Sequence, residues 1–201
     1  MQRKTATSPN AALKLTKKQR ALENEVSALL RWLQVTTDLT GVEPRLQTSR
    51  LMWAKRELII SAILREYLLM DEHLNNEMCW EFFPRRTYPA LWKTKRFRAF
   101  NYNILDRLPV LQKLEFVRSR ISLPKEFYER IRALNSLRNA VAHSFFPENR
   151  KVKPRWKGRD IFAIEGYTQF FNDIFEVSQF FYARLHRQER NRRCVRHPQH
   201  R

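Results

Sequence analysis

Residues 59–83, IISAILREYLLMDEHLNNEMCWEFF, decide the fold. Ile60, Ile63, Tyr67, Met70, Leu74 and Met78 recur at steps of three or four, which on a helix makes one apolar stripe. No glycine or proline interrupts the run before Pro84. The spacing predicts a long helix over about 49–82, ended by that proline.

The same period extends outward from it. Thr16 is a fitting N-cap for a helix over about 17–35, with Leu22, Val26, Leu29, Leu30 and Leu33 on one face. Between the two helices, TTDLTGVEPRLQTS reads as a loop. After Pro84, FFPRRTYPALWKTKR is a basic, aromatic connection. Residues 97–119 predict one or two helices with a break at Pro109, and Pro124 suits the first turn of the next, which runs to about Ser144. The stretch ENRKVKPRWKGRDIFAIEG, 148–166, predicts a loop with a short extended piece at DIFAI. A final helix is expected over about 167–187, with Phe171, Ile174, Phe175, Phe181 and Leu185 facing inward.

The fold class expected is therefore all-α, a bundle of about five helices with basic unstructured tails. Residues 1–15 are expected to be a disordered basic N-terminus, 16–187 a single domain, and 188–201 a basic C-terminal tail. With 43% hydrophobic residues the chain can build a core, and with only 3 glycines it is poorly suited to a many-turned β-fold.

The net charge of +19 points to a polyanionic partner, nucleic acid before an acidic membrane surface. Most of the excess sits at the two ends, where a basic arm is often only solubilising. Cys79 and Cys194 give neither a metal spacing nor a disulfide framework, so a reducing, cytoplasmic setting is the expectation. No apolar run is long enough to cross a membrane, and the N-terminus lacks the apolar core of a secretory signal.

Chemistry interrupts packing in LNSLRNAVAHSFF, residues 134–146. On a helical wheel Phe127, Ile131, Leu134 and Val141 share a narrow arc, and Arg138 falls inside it. A guanidinium keeps its proton, so burying it alone is unfavourable. Either a carboxylate neutralises it, with Glu66 and Asp71 the candidates, or its face opens on a cleft or a subunit interface. Asn139 and His143 lie together on another face. Arg138 and His143 are about 140° apart on a regular helix, so one pocket needs the helix to end near Ala142, or two copies of the helix to meet.

The spacing Arg138–Asn139–three residues–His143, RNAVAH, resembles the signature of the HEPN superfamily, an R-x4–6-H motif often with a polar residue directly after the arginine. The apolar frame and the motif's place near a helix end, late in an all-α chain, belong to the same resemblance. It implies a homodimer whose two motif helices line a shared cleft, and a metal-independent endoribonuclease needing no cofactor. His143 would act as general base or acid, Arg138 would stabilise the charge on the phosphate, and Asn139 would orient one or the other. The products implied are a 2′,3′-cyclic phosphate and a 5′-hydroxyl, with DNA left uncut because it lacks the 2′-OH. A toxin or defence role, with an antitoxin protein as partner, is implied by the family alone. Some HEPN-like chains are non-catalytic modules that bind RNA or protein, and this is the alternative. A second match, Arg192 to His197, lacks the apolar frame and is set aside. A third reading makes the chain a basic helical nucleic-acid binder whose motif match is accidental.

Two further features bear on RNA. RKVKPRWKGR, 150–159, gathers Lys151, Lys153, Arg155, Lys157 and Arg159 around Trp156. The cations suit phosphates; the indole either stacks on an unpaired base or folds into the core. Glu66, His73 and Glu77 share a face of the long helix, which reads as a solvated face rather than a metal site, since no second histidine has a fitting spacing.

Overall fold

The structure is a computed structural model that describes residues 17, 20, 41, 43–83, 88–142, 151 and 153–196. The chain falls into two compact units, Met1–Lys55 and Arg56–Arg201. In the first, residues 17 and 20 are helical; the rest of the expected first helix and the expected disordered N-terminus lie outside the described residues.

The helix built on the opening stretch, α1, spans Pro44–Phe82. It starts earlier than the expected residue 49, at a proline, whose fixed φ and missing N–H suit the first helical turn. Its end at Phe82, two residues before Pro84, matches the sequence reading. A single turn, α2 (Tyr88–Leu91), follows in the aromatic connection. Then α3 (Lys95–Phe100) begins at Thr94, whose hydroxyl caps the Phe97 N–H at 3.3 Å. It continues as a π-helical turn over Asn101–Leu105, and Pro109 separates that from α4 (Val110–Arg120). Helix α5 spans Lys125–Ala142 and carries the arginine of interest; α6 spans Ile164–Arg196.

The core of the second unit is where these helices meet. Ile63, Met70, Leu74 and Met78 of α1 are buried with Leu114 of α4, Ile131, Leu134 and Val141 of α5, and Phe170, Ile174 and Phe181 of α6. Ile60 and Tyr67 flank it half-buried. The all-α reading therefore holds. Among the described residues no helix is long and apolar enough to cross a membrane.

Three local expectations are corrected. Helix α6 begins at Ile164 and runs to Arg196, beyond the expected end at 187. Gln188, Glu189 and Arg190 are good helix formers, and no proline intervenes before Pro198. The inward face of α6 is Phe170, Ile174, Val177 and Phe181, while Phe171 and Phe175 are exposed, Phe175 at 52%. Adjacent aromatics at 170–171 and 180–181 make the phase of this helix ambiguous in sequence, and packing resolves it. The extended piece takes in only the first residue of DIFAI: β1 (Arg155–Trp156) pairs antiparallel with β2 (Arg159–Asp160), Trp156 opposite Arg159.

That hairpin has a physical cause in the sequence. Lys157 and Gly158 both take positive φ, 45° and 81°, which is the two-residue turn whose twist suits a tight hairpin. The hairpin then lies so close to the start of α6 that a Cβ on Gly166 would sit 2.0 Å from the Asp160 carbonyl oxygen. Only glycine fits there.

Candidate functional site

Helix α5 holds two arginines that point into the protein, and they are held differently. Arg130, two turns before Arg138, is 7% exposed. One Nη1 hydrogen bond goes to Glu176 Oε2 at 2.6 Å and another to the Asp173 carbonyl at 3.0 Å. Nη2 reaches Glu126 one turn back and lies 3.4 Å from Asp173 Oδ1. The buried arginine of this helix is thus Arg130, and it is neutralised by acids from α5 itself and from α6.

Arg138 is half-buried. Its Nη1 donates to Asn139 Oδ1 at 2.9 Å, and its guanidinium carbon lies 5.1 Å from the centre of the Tyr67 ring. The half-buried phenol of Tyr67 is raised above its ordinary pKa, chiefly by burial, with the Arg138 charge acting against the shift. Among the described residues no carboxylate stands at ion-pair distance from Arg138. Both acids offered for that role are engaged elsewhere: Glu66 Oε1 accepts from Arg65 Nη2 at 2.7 Å, and Asp71 Oδ1 accepts from the buried Lys113 at 2.6 Å. Each has a nearer cation on its own helix or on α4, so neither is free for Arg138. Asn139 is exposed on the helix surface, and α5 is helical through Ala142. His143 and the rest of the motif's frame, residues 143–146, lie outside the described residues.

The basic stretch after the motif is divided by the hairpin. Trp156 is not available to a base: it is 1% exposed, packs edge-on to Phe170 with ring centres 5.1 Å apart, and donates Nε1–H to Asp173 Oδ2 at 2.7 Å. Lys157 turns its amine to the same carboxylate oxygen, 2.9 Å away. Asp173, itself 3% exposed, collects Trp156, Lys157, Arg130 and a 3.0 Å hydrogen bond from Gln169. Burial alone would raise its carboxyl; the bonds from Lys157 and Trp156, the Arg130 charge and Gln169 outweigh burial and hold it below the ordinary value. Lys151, Lys153, Arg155 and Arg159 are exposed.

The face of α1 read as solvated is buried instead. Glu66, His73 and Glu77 are all enclosed. His73 stacks on Phe181 and meets Tyr182 edge-on, and burial pushes its pKa down to about 4, so it is neutral. Glu77 accepts from Arg184 Nε at 3.0 Å and Nη2 at 3.1 Å. Burial raises the Cys79 thiol to about 12, which makes it a poor nucleophile. Among the described residues no cluster of three or more histidine, cysteine, aspartate or glutamate side chains is arranged to hold a metal ion.

Sequence reasoning missed Tyr67 as the neighbour of Arg138, because helical spacing assigned it to the core stripe and nothing local marks an inter-helix contact. It also missed Arg130, which the same wheel places near Leu134 and Val141. The family models, the curated proteins and the solved structures compared with this chain yield no match.

Proposed function

We propose that the chain is a metal-independent endoribonuclease of HEPN type, acting as a homodimer in which two α5 helices flank one cleft. The observation that supports this most is the state of Arg138: a permanent cation, half-buried, with an aromatic ring and an amide oxygen around it and no carboxylate at ion-pair distance among the described residues. An arginine kept for structure is neutralised, as Arg130 is; an arginine kept for an incoming anion is oriented and left with unspent hydrogen bonds. The Tyr67 face and Asn139 Oδ1 do the orienting.

The reaction follows from the residue types. His143 takes the proton of an RNA 2′-OH, whose oxygen attacks the adjacent phosphorus. The bond to the 5′-oxygen breaks, and that oxygen leaves with a proton returned by an imidazolium, from the same histidine or from its copy in the partner subunit. Arg138 stabilises the extra negative charge on the phosphoryl oxygens as the fifth bond forms. The products are a 2′,3′-cyclic phosphate and a 5′-hydroxyl. The exposed cations of the hairpin region, Lys151, Lys153, Arg155 and Arg159, collect the substrate. A toxin or defence role, with an antitoxin as protein partner, is part of this proposal.

Purified protein with end-labelled RNA and excess chelator tests it. Cleavage to cyclic-phosphate ends is expected, lost in His143→Ala and in Arg138→Ala, from protein that runs as a dimer. Undiminished cleavage by His143→Ala, or a strict monomer that leaves RNA intact, would overturn it. A salt-sensitive shift of uncut RNA would favour the non-catalytic binding module.

A further inference from the structure

The hairpin sorts its residues by side. From Lys153 to Trp156 burial alternates: Lys153 and Arg155 face out, and Pro154 and Trp156 face in. This is the period of two expected of extended chain. Outward side chains two residues apart stand about 6.6 Å from each other. That is the length scale separating neighbouring phosphates along one nucleic-acid strand. Lys157 commits its amine to Asp173, and Arg159, opposite Trp156, is exposed but shares the Trp156 side of the ribbon and not the Arg155 side.

The element is also rigid. The two positive-φ turn residues, the Trp156 anchor on Asp173, and the close approach to Gly166 fix its shape from three directions. Its aromatic group, the feature that would sense a base, is enclosed. Among the described residues Lys153 and Arg155 form no ion pair, so their charges are uncommitted.

We infer that Lys153 and Arg155 form a phosphate rail that binds a single nucleic-acid strand through its backbone, blind to base and to sugar. The inference rests on the reading that nucleic acid is the partner, and it deepens that reading by naming what is recognised. Its consequence is that single-stranded DNA binds as well as RNA does. DNA is therefore a competitive inhibitor that is never cut, and choice of cleavage site comes from elsewhere.

The test uses full-length His143→Ala protein, so that RNA stays intact, and fluorescein-labelled 12-mers of U, A and dT read by anisotropy. The three are expected to bind within about threefold of one another. Replacing Lys153 and Arg155 together by alanine weakens all three at least fivefold at 150 mM salt. It also makes the slope of log Kd against log salt shallower by about 1.4, since each single-strand phosphate contact contributes about 0.7. The melting curve of the double variant should match its parent, because these side chains support no fold contact. Unchanged affinity in the double variant, failure of the parent to bind any 12-mer, or more than tenfold preference for one base or for RNA would overturn the rail. Failure of the rail is distinct from failure of the nuclease reading, which is scored by wild-type cleavage of RNA: a nuclease that cuts RNA but ignores dT 12-mers loses only the rail.

Discussion

Arg130 and Arg138 stand two turns apart on α5, each on the side turned toward the other helices. At the first, Glu126, Glu176 and Asp173 surround the guanidinium. At the second, the neighbours are the Tyr67 ring and Asn139. Charge paired with charge makes a joint, and Arg130 ties α5 to α6 and, through Asp173, to the hairpin. Charge held by a ring and an amide stays available to a third party. Position on a helix therefore says that an arginine is enclosed; what the opposite helices bring to it says what it is for.

The first way to break this comparison is to empty the joint. Asp173→Ala takes one acid from Arg130 and strands the Trp156 N–H and the Lys157 amine, and losing one partner of a buried charged network removes about 3–5 kcal/mol of stability. Urea unfolding followed by helical circular dichroism would show the midpoint fall, and a change under about 1 kcal/mol would mean that the joint is not what holds α6 and the hairpin to α5.

A third enclosed nitrogen sharpens the contrast. His73 lies between Phe181 and Tyr182 and is neutral in the fold, with a pKa near 4 against an ordinary 6.5. The unfolded chain then binds the extra proton first as pH drops. The contribution is whole above pH 6.5 and is lost as pH falls toward 4, about 3 kcal/mol in all. The depressed Asp173 carboxyl adds a further loss at lower pH, below the ordinary carboxylate value. Unfolding free energies measured across pH 7 to 4 should slope downward, and His73→Phe should flatten that window. An equal slope in the variant would assign the loss to other groups.

Gly166→Ala presses a methyl group into the Asp160 carbonyl and pries the hairpin from α6. Overpacking of this kind removes about 2 kcal/mol. Hydrogen exchange should speed up at Ile161 N–H, which bonds the Pro154 carbonyl at 3.2 Å, before it does in α5. Unaltered exchange would show that the hairpin does not need this contact. Smallest of all in stability is Arg138→Ala, about 1 kcal/mol from the lost ring contact, even though it abolishes the proposed cleavage.

Much of the bundle was legible because periodicity and prolines are local. The α1 stripe, its end before Pro84, the break at Pro109 and the start after Pro124 are all carried by short stretches. The phase of α6 was not: paired phenylalanines satisfy two faces equally well, and only the neighbouring helices choose. The hairpin did leave a local mark, Lys157–Gly158 between Trp156 and Arg159, but the basic composition around it reads as loop. At the site, Arg138 and Asn139 were found by spacing. Their relation to Tyr67, and the diversion of Glu66 and Asp71 to Arg65 and Lys113, depends on which helix lies opposite, which no local pattern encodes.

The availability of Arg138 can be read directly by phenylglyoxal modification mapped by mass spectrometry, on His143→Ala protein with and without single-stranded RNA. Arg138 should be modified in the free protein and protected by RNA, with Arg130 inert in both. Arg138 as unreactive as Arg130, or modified equally with RNA bound, would contradict the claim that its charge is held open for phosphate.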